Sequence, residues 1–160
     1  MQLIQVVTAT PTITSGSAYA SGNQLGGLLT LSGINGGGSG GCVLQDVIVT
    51  DKAGQSAAID VLLFDASVSL GSDKSAVSIS AADITAHCLG NLKVTAGMYS
   101  ATGTPSVATF NGSNMPLLLK PALGVGTGTG TLYAALVCRG TPTYTSTSDL
   151  TVKFKFSFDG

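Results

Sequence analysis

The sequence predicts an all-β fold, a single-domain β-sandwich or jelly roll of about eight to ten strands with one short helix near residues 81–87. Short apolar or alternating runs recur along the chain, and turn-forming residues separate them at intervals of roughly 8–12 residues, which is typical of this class. The final run, 150–158, alternates large apolar with polar side chains, as a strand with one buried face requires. A length of 160 residues suits one domain with a sizeable core, so we expect a single domain over 1–160.

The first predicted element lies at the N-terminus. Leu3 to Thr8 is apolar and β-branched enough for a strand, and Pro11 interrupts any ladder because proline has no N–H to donate. We therefore expect residues 1–14 to form a bent N-terminal arm or an edge strand. The run 28–32 alternates as a second strand, and the glycine-rich stretch 33–41 predicts a mobile loop or a wide turn.

The central predicted strand is Ile59–Phe64, IDVLLF, which is apolar on nearly both faces, as in a strand covered on two sides. The turn formers at 51–55 lead into it from the apolar run 43–50. This spacing predicts a hairpin that pairs 43–50 with 57–65. Two further short strands are predicted where small alternating runs follow, at 68–70 and 77–79.

The predicted helix begins after Ser80. Asp83 follows at the spacing of a capping box, with Asp in place of the usual Glu or Gln, and one or two turns reach His87. Gly90 then lets the chain leave the helix.

The C-terminal half reads as strands. Asn111-Gly112 is the strongest two-residue hairpin signal in the chain, and Met115–Leu119 lies between two prolines, which favours an edge or irregular strand. The other strands are predicted at 92–95, 98–101, 107–110, 131–138 and 150–158.

Composition excludes two classes of partner. Charged residues make up 9% of the chain and the net charge is −1, so the basic surface of a nucleic-acid-binding protein is absent. No apolar run approaches the 18 or so residues that span a membrane. The N-terminus has no basic region followed by a continuous apolar run, so we expect synthesis and use without export. A surface so poor in charge favours burial in an assembly.

No residue pattern predicts catalysis, a cofactor or a metal. His87 and Cys88 are adjacent, but neighbours on a helix point about 100° apart, which is unsuited to a nucleophile and its base. The chain has one His, and the aspartates have turn or cap spacing instead of a calcium-loop pattern. Gly36, Gly38 and Gly41 match a dinucleotide motif, yet a strand pattern follows where a helix is required.

A resemblance to a known family is carried by stretches that occur in a fixed order. They are AYASG through GGLL at 18–29, IDVLLFDA at 59–66, DKSAV at 73–77, SAAD at 80–83, and Gly90. These stretches, which span about half of the chain, resemble small virion structural proteins of tailed bacteriophages. In that family Asn often follows the position of Asp73, where this chain has Lys74.

The resemblance implies a non-enzymatic decoration, or cement, protein that binds the outer capsid surface and stabilises the head. Its implied partners are the major capsid protein and further copies of itself, as a symmetric homo-oligomer such as a trimer. It would be made in the host cytoplasm and reside on the virion. A tail or fibre component, or a β-sandwich module that binds a ligand such as a carbohydrate, remains an alternative. We expect capsid or subunit contacts at Leu3, Ile4, Val6, Ile13, Met115, Leu117 and Leu119.

Overall fold

The computed structural model describes residues 1–35, 41–111, 115–118 and 129–159. Within them the strands form two antiparallel sheets with one short α-helix beside them, which confirms the predicted all-β sandwich. Sheet A contains β1 (Gln2–Ala9), β3 (Gly41–Asp51), β6 (Tyr99–Ala101), β7 (Ser106–Phe110), β8 (Met115–Leu118) and β10 (Leu150–Asp159). Sheet B contains β2 (Leu29–Asn35), β4 (Ile59–Phe64), β5 (Cys88–Val94) and β9 (Thr129–Cys138).

The strand order is that of a jelly roll. Sheet A runs β1–β10–β3–β7–β6, with β8 also paired to β3, and sheet B runs β2–β9–β4–β5. The chain passes from one sheet to the other after nearly every strand, and it stays in the same sheet only from β4 to β5 and from β6 through β8. This winding produces the two Greek keys of the jelly roll class.

The core lies between the sheets and follows directly from the alternating pattern. In β10 the side chains of Val152, Phe154 and Phe156 are fully buried, whereas Lys153 on the opposite face is exposed. Each large buried side chain stabilises the fold by about 1.5–3 kcal/mol. Strand β4 pairs with β5 on one side and β9 on the other, so the prediction of a central strand at Ile59–Phe64 is confirmed.

A second, smaller core covers the outer face of sheet B. Phe64 and Ala135 point to that face and pack against Val68 and Leu70. The predicted strands at 68–70 and 77–79 are wrong, because that segment pairs only through an isolated bridge at Ala76. The alternating apolar side chains of this segment pack against the outer face of sheet B, but its backbone forms no strand there.

The predicted hairpin between 43–50 and 57–65 is also wrong. Strand β3 belongs to sheet A and β4 to sheet B, so residues 52–58 cross between the sheets. The Asp51 carboxylate accepts hydrogen bonds from the backbone N–H groups of Ala53 and Ser56, both at 2.9 Å, and these bonds shape the crossing. Turn-forming residues predict a change of direction but not the next pairing partner.

The Asn111-Gly112 hairpin is contradicted by the pairing around it, although Gly112 itself lies outside the described residues. Both β7 and β8 pair antiparallel with β3, at successive positions along it. The two strands therefore run in the same direction and follow one another along one edge of β3.

The helix prediction is confirmed by α1 (Ala81–His87), but Gly90 does not end it, because Cys88 is the C-cap and Gly90 lies within β5. Ser80 is the N-cap, and its hydroxyl oxygen accepts from the backbone N–H of Asp83 at 3.0 Å. The stretch 33–41 is only partly a loop, because β2 extends to Asn35 and β3 begins at Gly41; residues 36–40 lie outside the described part of the chain. No helix among the described residues has the length and apolarity needed to cross a membrane.

Candidate functional site

The most distinctive surface of the molecule lies along its N-terminal strand. Six large hydrophobic side chains of the described residues are exposed, and four of them are Met1, Leu3, Ile4 and Val6. Ile4 is 61% and Val6 52% exposed. Apolar side chains concentrated in this way mark an interaction surface more often than chance exposure does.

The pattern of exposure continues beyond the strand. From residue 2 to residue 12 the even-numbered residues are exposed, whereas most odd-numbered ones are at least half-buried. We call the exposed row Ile4, Val6, Thr8, Thr10 and Thr12 the β1 stripe. All five side chains are β-branched and none is charged, so the stripe is stiff and offers an apolar and hydroxyl-bearing surface.

The first part of the stripe lies on β1, which is an edge strand of sheet A. It pairs along its whole length with β10, with Ile4 opposite Ser157 and Val6 opposite Lys155. Of the two alternatives for residues 1–14, the arm and the edge strand, the structure shows an edge strand at Gln2–Ala9 that is docked on the sheet.

The residues predicted as contacts fall into three groups. Leu3, Ile4 and Val6 are exposed on β1, where a partner can reach them. Ile13 is 1% exposed and packs in the main core, because an alternating extended segment buries every second residue. The third group lies far along the chain. Met115 and Leu117 belong to β8, paired to β3, and Leu119 lies outside the described residues.

An open groove of about 320 Å³ lies beside the far end of the stripe. Thr8, Thr12, Leu28 and Thr30 are among the residues that line it. Gly26 also lines the groove and has φ +78°, and a Cβ added there would come within 2.4 Å of the Pro11 Cβ. Glycine is therefore required for the two segments to approach so closely.

A half-buried carboxylate, Asp73, fixes the chain just after the stripe. Asp73 accepts hydrogen bonds from the Thr14 backbone N–H at 3.0 Å and from its hydroxyl at 2.7 Å. It also accepts from the Tyr19 hydroxyl at 2.9 Å and from the Gly26 N–H at 2.6 Å. Burial raises the pKa of Tyr19 to about 12, so this phenol stays protonated and donates. The sequence predicted only a turn role for Asp73. Its hydrogen-bond donors lie 47 to 59 residues away in sequence, so no local pattern could indicate them.

Lys74, the residue that departs from the pattern of the resembled family, has φ +64°. Asn occupies this left-handed region more easily than most residues, which accounts for an Asn at such a position. The lysine side chain reaches back, with its amine near the Ser17 hydroxyl and 5.9 Å from the centre of the Tyr19 ring. It therefore ties the same two loops together that Asp73 joins.

The residues considered for chemistry are used in separate structural contacts. His87 Nδ1 lies 2.9 Å from Asp65 Oδ1, while the adjacent Cys88 thiol faces the Gly90 carbonyl at 3.9 Å. Asp60 pairs with Arg139 at 2.8 Å. No group of three or more metal-ligating side chains occurs in the part of the chain that the structure describes.

The three cysteines are free thiols. Burial raises the pKa of Cys42 to about 11 and also raises the pKa of Cys138, so both remain protonated at neutral pH. Protonated, buried thiols act as small apolar groups and are poor nucleophiles.

No model of a known protein family matches the sequence, and a search of curated proteins gives no match. Among solved structures, a chain of the Israeli acute paralysis virus full particle, heated to 63 degrees, is 9% identical with a TM-score of 0.30; the match covers 98% of this chain and 67% of that one. A chain of the unassembled KI polyomavirus VP1 pentamer is 13% identical with a TM-score of 0.16, covering 100% of this chain and 70% of that one. The jelly roll assignment rests on the strand order and not on these remote likenesses.

Proposed function

We propose that this chain is a non-enzymatic virion structural protein, a decoration or cement protein that binds the outer surface of a tailed-phage capsid and stabilises the head. Its partners are the major capsid protein and further copies of itself, and its location is the virion. The observation that carries the proposal is the β1 stripe, an uncharged row of exposed β-branched side chains that begins on the edge strand β1 and continues past its end.

The physical basis is contact area. A stable protein contact buries about 800 Å² on each partner, and a fixed, extended row of side chains loses little conformational entropy when it docks. Repetition over a symmetric shell multiplies a modest contact through many linked copies. The jelly roll class includes viral capsid domains as well as lectins, so the fold alone does not decide between them.

The position of the aromatic side chains weighs against a carbohydrate-binding module. Sugar platforms need exposed aromatic rings, but Tyr19 and Tyr144 are buried against each other with ring centres 5.9 Å apart. Tyr99 and Tyr133 are half-buried. The described tyrosines therefore contribute to the core instead of forming an open platform.

The proposal is tested by mixing the purified chain with capsids of the encoding phage that lack it, followed by sedimentation. We expect co-sedimentation, and we expect the T10E/T12E variant to bind at least about tenfold more weakly, because two buried carboxylates would lack partners. The T85E/T104E variant is the matched control, since both threonines are exposed away from the stripe.

Absence of the wild-type chain from the capsid pellet would rule the proposal out. The copy number in virions separates head from tail: hundreds of copies per particle fit a capsid role, and tens fit a tail or fibre component. If T10E/T12E and T85E/T104E bound the capsid equally well, the β1 stripe would not be part of the contact.

A further inference from the structure

The outer edge of β1 differs from every other sheet edge that the structure describes. Native edge strands are normally blunted by shortness, proline, lysine or a bulge, since an open ladder of N–H and C=O groups invites another strand. Strand β6 has three residues, and β8 has four and contains Pro116. Strand β2 is interrupted by a register shift between Leu31 and Ile34, and β5 carries the exposed Lys93 and pairs across a register shift.

Strand β1 has none of these features. It is eight residues long, it pairs with β10 in unbroken register, and its sequence QLIQVVTA contains no charge and no proline. An edge of this kind is suited to pairing with another strand, and its own sequence decides which strand fits best.

A second copy of the same strand fits this edge. In an antiparallel arrangement with a two-fold axis at Gln5, Ile4 of one copy lies beside Val6 of the other, and Val6 lies beside Ile4. Directly opposed side chains of this kind have Cβ atoms about 4.5–5.5 Å apart, and β-branched pairs stabilise the ladder. Each even-numbered residue of one β1 then lies beside an even-numbered residue of the other. Both β1 stripes are therefore on the same face of the joined sheet.

The charges near the edge agree with this pairing. The closest basic groups on the exposed face are Lys153 and Lys155, one strand inside the edge, and Lys155 pairs with Asp46 at 3.2 Å. In the two-fold arrangement Lys155 lies beside Val6 of its own copy. The next side chains across the joined sheet are Ile4 and then Ser157 of the second copy. No like charges face one another across the neutral seam.

We propose that two copies of this chain pair through their β1 edges, antiparallel and with Ile4 beside Val6, to form one continuous sheet across a two-fold axis. An isologous edge closes after two copies, so the pairing makes the expected symmetric homo-oligomer a dimer instead of a trimer. The dimer presents two β1 stripes side by side, which doubles the surface offered to a capsid. The dimer forms without a capsid, so its test is independent of the proposed function.

Sedimentation velocity over a range of concentrations tests the dimer. The ladder is shorter than a standard interface, so we expect a reversible dimer with a dissociation constant in the micromolar range. The I4K/V6K and I4E/V6E variants each place like charges opposite one another, and each should weaken the dimer at least about tenfold. Mixing the two variants should restore a heterodimer. The matched control, I84K/M98K, changes two exposed hydrophobic residues elsewhere and should dimerise as the wild type does.

Amide hydrogen exchange of the wild-type chain gives a second measurement that needs no variant. Residues of Gln2–Ala9 should exchange more slowly at concentrations where the dimer forms, with little change in β5 or β6. A wild type that stays monomeric, a trimer without a dimer, or a dimer unaffected by I4K/V6K would overturn the proposal. If the I4K/V6K and I4E/V6E variants did not associate with each other when mixed, the pairing of Ile4 with Val6 would be ruled out.

Discussion

The Asp73 carboxylate joins its own loop to the segment between Thr14 and Gly26, which lies far earlier in the sequence. Its donors are the Thr14 N–H and hydroxyl, the Tyr19 hydroxyl and the Gly26 N–H. Together they hold the segment after the β1 stripe against the loop before β2. At this scale the sequence predicted burial well but not partners, because the alternation that buries Phe154 is local and the partners of Asp73 are not.

Replacement of Asp73 tests this role. The D73A variant leaves several donors without an acceptor, and each such group costs about 1–3 kcal/mol, so we expect a loss of roughly 3 kcal/mol in the free energy of unfolding. Chemical denaturation measures it. The matched control is D83A at the exposed start of α1, where the Ser80 hydroxyl loses one carboxylate partner and the expected loss is below about 1 kcal/mol. Equal losses in the two variants would contradict the account of Asp73.

Strands were predicted more reliably than their pairing. The positions of β4, β7, β9 and β10 follow from local periodicity, and α1 follows from its N-cap. Pairing depends on contacts across the whole chain, and the residues of a turn do not specify whether the chain folds back within a sheet or crosses to the other one. The two incorrect hairpins have this common cause.

The crossing from β3 to β4 depends on one glycine. Gly54 has φ +64°, and a Cβ added there would lie 2.2 Å from the Thr104 carbonyl oxygen. We expect G54A to lower the free energy of unfolding by about 3 kcal/mol, since both a left-handed backbone and a backbone clash oppose it. G33A is the control, because Gly33 has φ +70° but nothing within 4 Å; its cost should be near 1 kcal/mol. A smaller loss for G54A than for G33A would show that the crossing loop can shift.

The described part of the molecule combines a well-filled jelly roll with a long, uncharged strand, β1, at the end of sheet A. Strand β10 lies between β1 and β3, and its buried Val152, Phe154 and Phe156 attach the edge strand to the main core. The β1 stripe is therefore rigid before any partner binds. Sequence composition indicated an assembly role because charge is scarce, and Leu3, Ile4 and Val6 were already among the expected contacts. The structure adds that these three side chains are exposed on an edge strand.

Electron microscopy of the intact particle tests the central claim most directly. A reconstruction of the head should show this jelly roll in many symmetric copies on the outer capsid surface, with the side chains from Ile4 to Thr12 facing the capsid protein. Loss of that density in particles that lack the chain would identify it. Density only at the tail, or on the capsid with the β1 stripe facing solvent, would contradict the account.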